Sequence, residues 1–336
     1  MTEQEHAPLR EHTTFRIGGP AALFITAETI DEIPAAFQHA LERGLSVYPL
    51  GEGSNVLATD AEVRKAILHL KSANVTYETE GDDVRVTADG GVSWDALVSE
   101  TTARGLWGLE NLAGIPGTVG AAPVQNIGAY GREVMDVIMH VDAYDPSQKA
   151  FVRYEHADCG FSYRDSRFKR EPGPFITRVS FSLSRTPRPM LSYPDLQARV
   201  NEGIGLSTPL RIAEEVRAIR ARKFPDLSVL GTAGSFFKNP VITPEAYVRL
   251  REHYPELPGF ETEKGVKVPL AWILDHALSL RGYACGPVRL FEKQPLVLVA
   301  EAGATARDVD ALADDVAQRV HAATGIVIER EVQTLQ

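Results

Sequence analysis

Helical and strand-like patterns alternate in the first seventy residues of the chain. Apolar residues recur at helical spacing over Ile30–Arg43, and this pattern predicts an amphipathic helix. Gly44 follows it, where a left-handed residue commonly ends a helix. The apolar runs Leu45–Leu50 and Ala66–Leu70 predict two strands. This region is therefore expected to form a small α/β unit.

The middle of the chain is richer in strand patterns. Val84–Ala88 alternates between apolar and polar residues, and Ser93 is predicted to cap a helix over Trp94–Ala103. Few periodic apolar residues occur from Thr186 to Ser207, which we interpret as a connector carrying the loop LSYPDL. Further strands are predicted at Val134–Tyr144, Phe151–Tyr154 and Phe175–Leu183.

The last third of the chain mixes helices and strands. Its predicted helices are Pro209–Lys223, Pro244–Tyr254, Pro269–Leu280 and Arg307–Thr324. Strands are predicted at Leu296–Val299 and Gly325–Val332, so this part is also expected to be α+β.

Composition and charge narrow the functional classes. The chain has 336 residues, of which 44% are apolar, and 35 basic residues against 45 acidic ones give a net charge of −10. An acidic chain argues against a general binder of nucleic acid or of membrane surfaces. No apolar run approaches the ~20 residues that span a bilayer, and the N-terminus lacks a signal-peptide pattern. With only two cysteines, Cys159 and Cys285, no disulfide framework is indicated, and we expect a cytoplasmic protein.

Two glycine-rich segments carry the main functional signal. They read GEGSNVL from Gly51 and GIPGTVGAAPVQNIGAYG from Gly114. Glycine allows close approach of backbone to a ligand, and such loops can aim amide groups at phosphate. Ordinary turns are the alternative. Val56 stands where a dinucleotide fingerprint needs its third glycine, so neither a Rossmann fold nor a P-loop is supported.

Four segments in order resemble one enzyme family. They are the two glycine-rich segments, CGFSYRDSRFK from Cys159 and AGSFFKNP from Ala233, and together they resemble UDP-N-acetylenolpyruvoylglucosamine reductases. The resemblance implies an α+β fold, with an FAD-binding module of the vanillyl-alcohol-oxidase type in two α/β subdomains (1–72 and 73–190). A connector with a substrate loop (191–207) and an α+β substrate-binding domain (208–336) are expected to follow. The loop with its tyrosine resembles the longer form of the family.

The implied reaction is NADPH-dependent reduction of the enolpyruvyl group of UDP-N-acetylglucosamine enolpyruvate, giving UDP-N-acetylmuramate for peptidoglycan. The resemblance implies non-covalent FAD, since no His or Cys lies in either glycine-rich segment. A UDP-sugar and NADPH are the implied partners, with no nucleic acid, membrane or obligate protein partner. Two alternatives stay open: a flavin-dependent sugar oxidase of the same fold, and a non-catalytic nucleotide-sugar-binding protein.

Three residues match the family's catalytic positions. Arg164 would stabilise the enolate through a bidentate grip on its carboxylate, although an ion pair with Asp165 is the ordinary role of such an arginine. Ser235 would donate the proton, with Lys238 or Lys223 as support, although a serine after glycine is commonly a helix cap or a turn residue. Glu331, preferred over Glu329 because it precedes Val332, would need a burial-raised pKa to donate a proton.

The resemblance also implies binding residues. The cofactor set is Gly51, Gly53, Ser54, Asn55, Ile115, Pro116, Gly117, Gly120, Ala121, Asn126, Gly128, Ala129 and Arg220. The substrate set is Tyr163, Tyr193, Lys223, Asn239 and Gln294. The chain departs from the family pattern at Leu227, Phe291 and Ala300, where proline, histidine and asparagine are common.

Overall fold

The computed structural model describes residues 1–171 and 173–336, which form two compact units. The first unit comprises Met1–Ala7, Ala21–Glu52 and Arg64–Arg220. The second comprises Pro8–Pro20, Gly53–Val63 and Ala221–Gln336. The chain therefore enters the second unit three times. The sequence-based division into four segments stays a prediction.

Two sheets organise the first unit. One is an antiparallel sheet with strands in the order Ala150–Glu155, Ile138–Asp145, Phe175–Ser184, Asp83–Asp89 and Val75–Glu80. The other has the order Thr2–Pro8, Pro20–Ala27, Val63–Leu70 and Ser46–Pro49, with its last pair parallel. A short hairpin joins Gly128–Ala129 to Arg132–Glu133.

The helices of the first unit pack on these sheets through apolar faces. Ile33–Glu42 buries Ile33, Ala36 and Ala40 in the core beside the four-stranded sheet. In the core beside the five-stranded sheet, the ring of Trp94 is fully buried, meets Phe181 edge-to-face and donates its indole N–H to the carbonyl of Leu112. The remaining α-helices of this part are Trp94–Ala103, Arg167–Arg170, Pro194–Asn201 and Pro209–Lys223, the last of which continues into the second unit.

The second unit has its own core around the helix Ala306–Thr324. Thr305 and Asp308 form a reciprocal capping box at its start, and Gly325, with a φ of 71°, ends it. Its described strands are Val56–Ala58, Val241–Ile242, Phe260–Thr262, Gly265–Lys267, Ala284–Cys285, Val288–Phe291, Gln294–Ala300 and Gln333–Leu335. The other described α-helices are Pro244–His253 and Leu270–Trp272, and the latter runs into a π-helical turn at Ile273–Ala277.

Strongly periodic elements were predicted well. The helix Pro209–Lys223 has the predicted bounds. Ile33–Glu42 lies inside the predicted range, and Gly44 adopts a φ of 69°. The β-rich segments after residue 134 are strands within a few residues of their predicted ends.

Three predictions about local structure were wrong, and a fourth was confirmed only in part. The connector contains the helix Pro194–Asn201, whose single buried side chain, Leu196, gives no apolar period. The helix Trp94–Ala103 has the predicted bounds and Ser93 occupies its N-cap, but the Ser93 side chain makes no capping hydrogen bond. The range Pro269–Leu280 is not one α-helix, because a π-turn interrupts it. Residues Gly325–Val332 do not form a strand: only Arg330 bridges, to Phe237, and the strand begins at Gln333.

Among residues 1–171 and 173–336, no helix is both long enough and apolar enough to cross a membrane.

Candidate active site

The two glycine-rich segments meet within the first unit at Gly51 and Glu52. A side chain on Gly51 would come within 2.6 Å of the Thr118 hydroxyl, so glycine is required for this close packing. The carboxylate of Glu52 accepts a hydrogen bond from the N–H of Gly117 at 2.9 Å and is also hydrogen-bonded to the Ser93 side chain. Glu52 thus joins the first glycine-rich segment to the second.

Several amides of the second segment are used inside the protein. The N–H of Gly120 donates to the carbonyl of Gly90, and a Cβ on Gly120 would lie 3.1 Å from the Cα of Gly90. The N–H of Ala121 donates to the carbonyl of Thr118. With the amide of Gly117 held by Glu52, these groups shape the loop. The predicted cofactor contacts of Gly117, Gly120 and Ala121 stay predictions and require other atoms of these residues.

A buried guanidinium lies against the start of the second segment. Nε of Arg220 donates to the carbonyl of Gly114 at 2.9 Å, while the N–H of Gly114 donates to Asp95 at 2.6 Å. Arg217 binds the same Asp95 carboxylate through Nε and Nη2. Burial lowers the pKa of Arg220. A buried cation beside a glycine-rich loop suits a cofactor that carries a pyrophosphate, so these residues fit FAD.

Arg164 stands at the tip of a tightly held turn. Its φ is 55°, a left-handed conformation that costs a non-glycine residue energy. Reciprocal backbone hydrogen bonds between Ser162 and Asp165 close the turn, and Nζ of Lys169 donates to the carbonyl of Arg164. Nη2 of Arg164 donates to the carbonyl of Gly128 at 2.7 Å.

The ion pair that the sequence left open for Arg164 is formed by another arginine. The carboxylate of Asp165 is bound by Arg170. A side chain on Gly128 would lie 2.9 Å from Nη1 of Arg164, so glycine also keeps room for the guanidinium. The turn therefore presents Arg164 in one orientation, while Asp165 serves to hold the turn.

Asn126 connects the glycine-rich segment to this turn. It is fully buried, and its Nδ2 donates to Glu133 and to the carbonyl of Ser162, at 2.8 and 3.0 Å. Its Oδ1 accepts from the N–H of Met135. The side chain of Asn126 thus connects the second glycine-rich segment to the turn that carries Arg164. Its predicted contact with the cofactor stays a prediction.

Tyr193 of the substrate loop packs on a second tyrosine. Its ring meets that of Tyr130 edge-to-face, with 5.2 Å between the ring centroids, and the residue stays 41% exposed. The Tyr130 hydroxyl accepts a hydrogen bond from Arg220, and burial raises its pKa to about 12, so it stays protonated. The ring of Tyr163 lies 5.3 Å from the Arg164 guanidinium. The first unit thus gathers predicted cofactor and substrate residues into one connected group.

Ser235 lies in an extended segment of the second unit. It bridges to Val297 in antiparallel fashion, and the N–H of Phe236 donates to the carbonyl of Leu296. The neighbouring rings of Phe236 and Phe237 are 1% and 2% exposed. No helix begins at Ser235, so the helix-cap alternative is wrong, and backbone pairing fixes the position of the residue.

Glu331 is held next to the same segment. Its N–H donates to the carbonyl of Phe236 at 2.7 Å, and its own carbonyl lies 3.4 Å from Nδ2 of Asn55. Glu329 points elsewhere, because its exposed carboxylate pairs with Lys238 at 2.8 Å. This pairing favours Glu331 as the site residue and gives Lys238 a role other than supporting Ser235.

The other predicted residues of the second unit have distinct surroundings. Gly53 has a φ of 63°, and a Cβ there would lie 2.2 Å from the carbonyl oxygen of His12, so only glycine fits. Oδ1 of Asn239 accepts from the N–H of Leu270 at 2.9 Å. Oε1 of Gln294 is buried without a hydrogen-bond partner among residues 1–171 and 173–336, which leaves it able to bind a ligand group. Lys223 is the last residue of its helix.

Two buried polar residues were missed by sequence reasoning. Glu110 and Asn111 are fully buried, just before the second glycine-rich segment. Oε2 of Glu110 accepts from the N–H of Gly108 at 2.6 Å, and Oε1 has no partner within the described part of the chain. Burial raises the pKa of Glu110, although the hydrogen bond from the N–H of Gly108 and, to a smaller extent, the charge of Arg132 oppose the effect. Their only signal in the sequence is two polar residues within an apolar run.

The pKa of Glu110 predicts a pH-dependent effect of Glu110→Gln. Because folding raises this pKa, the stability that the carboxyl contributes is fully present below its unfolded pKa and is lost as the pH rises through its folded pKa. We therefore expect the variant to gain stability relative to the natural protein as the pH rises from 4 to 8. Urea unfolding at several pH values measures this. A constant difference between the two proteins would contradict it.

The positions that depart from the family pattern lie in apolar or backbone contacts. Phe291 is 8% exposed and clusters with Val297 and Val299. Ala300 pairs with Gly231 through two backbone hydrogen bonds, and the carbonyl of Leu227 accepts from Arg16. At these three positions the structure shows packing and backbone roles.

Comparison with known proteins identifies the class and then the family. Residues 21–150 match an FAD binding domain, and residues 226–335 match the UDP-N-acetylenolpyruvoylglucosamine reductase C-terminal domain. With the buried cation at the glycine-rich loop, this makes the chain an FAD-containing oxidoreductase.

Similar proteins cover the whole length. The chain is 40% identical to the UDP-N-acetylenolpyruvoylglucosamine reductase of Pseudomonas aeruginosa over 98% of this chain and 97% of that one. It is 40% identical to the Chromobacterium violaceum enzyme, over 96% of both chains. A crystal structure of the reductase from Thermus caldophilus matches with a TM-score of 0.70 and 25% identity, over 100% and 98% of the two chains. The chain belongs to the UDP-N-acetylenolpyruvoylglucosamine reductase family, which confirms the predicted fold class.

Proposed function

We propose that this protein reduces the enolpyruvyl group of UDP-N-acetylglucosamine enolpyruvate to a lactyl ether, with NADPH as the source of electrons. The product is UDP-N-acetylmuramate, a precursor of peptidoglycan. The observation that carries the proposal is the Arg164 guanidinium, held at the tip of a closed turn within a chain that matches the family over its full length. UDP-sugars and NADPH are cytoplasmic metabolites, so we propose that the protein works in the cytoplasm.

The chemistry explains why an arginine is needed. FAD, when bound, supplies a hydride to the terminal carbon of the alkene. Negative charge then develops on the neighbouring carbon and spreads into its carboxylate. A planar guanidinium binds such a group through parallel hydrogen bonds and stays charged at any working pH. Arg164 would stabilise the enolate in this way.

Ser235 and Glu331 complete the proposed chemistry. The Ser235 hydroxyl would transfer its proton to the carbon that carries the carboxylate, and Glu331 would donate a hydrogen bond to the enolate in its protonated form. Both residues are anchored through the backbone of Phe236 or its neighbours, which fixes the positions from which their side chains would act.

The predicted binding residues form two sets, one for the FAD and one for the nucleotide sugar. Arg220 and the two glycine-rich segments would hold the FAD, whose pyrophosphate suits the buried guanidinium. Ser54, Ile115, Pro116 and Ala129 belong to the same proposed set. Tyr193, Lys223, Asn239 and Gln294 would bind the nucleotide sugar, with Tyr163 beside Arg164.

Anaerobic stopped-flow spectroscopy tests the function directly. NADPH should bleach the absorbance of the bound flavin, and subsequent mixing with the enolpyruvyl nucleotide should restore it with one equivalent of lactyl product. Flavin that is reoxidised only by oxygen, with a sugar alcohol as the reductant, would favour the oxidase. A purified protein that neither contains nor takes up flavin would favour the non-catalytic binding protein.

A further inference from the structure

The segment of residues 188–193, which leads into the substrate loop and ends at its tyrosine, is attached to the rest of the first unit at three points. Nη2 of Arg132 lies 3.4 Å from the carbonyl oxygen of Arg188. Nδ2 of Asn111 donates to the carbonyl of Met190 at 2.9 Å. The ring of Tyr193 meets the ring of Tyr130. Tyr130 and Arg132 lie in the hairpin at the end of the second glycine-rich segment, and Asn111 lies on the short 3₁₀ helix before that segment.

Asn111 is the central attachment because it binds both sides of the tyrosine contact. The second hydrogen of its Nδ2 donates to the carbonyl of Tyr130 at 2.8 Å. One amide group therefore connects the backbone of Tyr130 to the backbone of Met190, three residues before Tyr193. Since Asn111 lies on the 3₁₀ helix Glu110–Leu112 and is fully buried, it is a fixed point for both segments.

The hydrogen bond from Asn111 also supports the backbone conformation of Tyr130. Its φ is 48°, an uncommon conformation for an aromatic residue, which needs support from its surroundings. The hydrogen bond from Asn111 supplies such support at the Tyr130 carbonyl. The ring then reaches Tyr193 on one side, and its hydroxyl binds Arg220 on the other.

We propose that Asn111 is a positioning residue for substrate binding, acting through the loop that carries Tyr193. Its amide holds the Tyr130 and Met190 carbonyls at a set separation, so that the Tyr193 ring is ordered before the nucleotide sugar arrives. Ordering a loop in advance lowers the entropic cost of binding, which strengthens affinity without new contacts. This inference rests on the proposed role of Tyr193 in the function given above.

Asn111→Asp is the sharpest test because it keeps the size of the side chain. It replaces the NH2 group, which donates two hydrogen bonds, by an oxygen that donates at most one when the carboxyl is protonated, so at least one of the two carbonyls loses its hydrogen bond. Asn201→Asp makes the same chemical change at an exposed position on the helix that follows the loop, and it serves as the matched control. Both variants are purified as FAD-loaded enzymes.

Two measurements separate the inference from the proposed function. Hydrogen–deuterium exchange of residues 186–201, without substrate, reports the order of the loop. Steady-state kinetics report KM for the enolpyruvyl nucleotide and kcat. We expect faster exchange in Asn111→Asp and a KM raised about tenfold, with kcat within about twofold of the natural enzyme. Asn201→Asp should match the natural enzyme in both.

Each outcome has one meaning. Unchanged exchange in Asn111→Asp would refute the attachment. Faster exchange with unchanged KM would refute the link to substrate binding while leaving the proposed function intact. Failure of the natural enzyme to turn over the nucleotide would instead refute the proposed function, and the exchange measurement would still decide the attachment.

A second variant guards against misfolding of Asn111→Asp. Arg132→Gln removes the attachment at the Arg188 carbonyl, and its side chain is less buried than that of Asn111. We expect faster exchange confined to the start of the loop and a smaller rise in KM. Exchange equal to that of the natural enzyme in this variant would contradict the three-point attachment.

Discussion

Replacing Ser235 with alanine is expected to leave one half of the reaction intact and to slow the other. Reduction of the flavin by NADPH does not require a proton donor for the substrate carbon, so its rate should stay within about twofold. Reoxidation by the enolpyruvyl nucleotide should slow by about 10²- to 10⁴-fold, the usual contribution of a positioned acid. Stopped-flow absorbance in the two separate mixing steps measures both rates.

The structure makes this substitution a clean test. Ser235 is held through its bridge to Val297 and by the backbone bond between Phe236 and Leu296, and neither involves the hydroxyl. Alanine should therefore occupy the same position. Ser228→Ala, at an exposed site in the same unit, is the control and should behave as the natural enzyme. Equal losses in both half-reactions would disprove the proton-donor role.

Arg164→Lys is expected to be nearly as severe, although it conserves charge. An ammonium is a compact point charge and cannot form the paired hydrogen bonds of a guanidinium. It also cannot keep the bond to the Gly128 carbonyl while it binds a carboxylate in the same geometry. We expect kcat/KM to fall by about 10²- to 10³-fold, the usual cost of losing one group that stabilises an anionic transition state.

Arg170→Lys is the matched control for that variant. Its partner, Asp165, can bind an ammonium as well as a guanidinium, so kcat/KM should change by less than about threefold. Near-normal turnover of Arg164→Lys would exclude Arg164 as the enolate-binding group. A comparable loss in Arg170→Lys would instead assign the effect to the shape of the turn.

Sequence reasoning worked best where one segment carries its own signal. Pro209–Lys223 shows an apolar stripe and a proline in its first turn, and its helix has the predicted bounds. Sequence reasoning failed where the structure of a segment depends on pairing with a distant part of the chain. The strand Gln333–Leu335 pairs with Val56–Ala58 in parallel, more than 270 residues away, and no local pattern specifies that register.

The candidate site shows the same division. Motif residues such as Arg164 and Ser235 could be selected from the sequence because their neighbours are distinctive. Asn111 and Glu52 could not, because a polar side chain gains its role from partners that folding brings to it. The Asn111 amide, for example, serves carbonyls 19 and 79 residues away.

The backbone of Arg164 has a consequence for engineering this protein. The left-handed conformation of residue 164 costs arginine about 1 kcal/mol, and glycine would remove this strain. Asparagine would also adopt the conformation more easily than arginine does. A selection for heat resistance alone would therefore remove the guanidinium wherever this relief exceeds the contribution of its hydrogen bond to the Gly128 carbonyl. Directed evolution of a more thermostable enzyme must therefore screen for turnover in every round, because thermal stability and catalytic activity place opposite demands on residue 164.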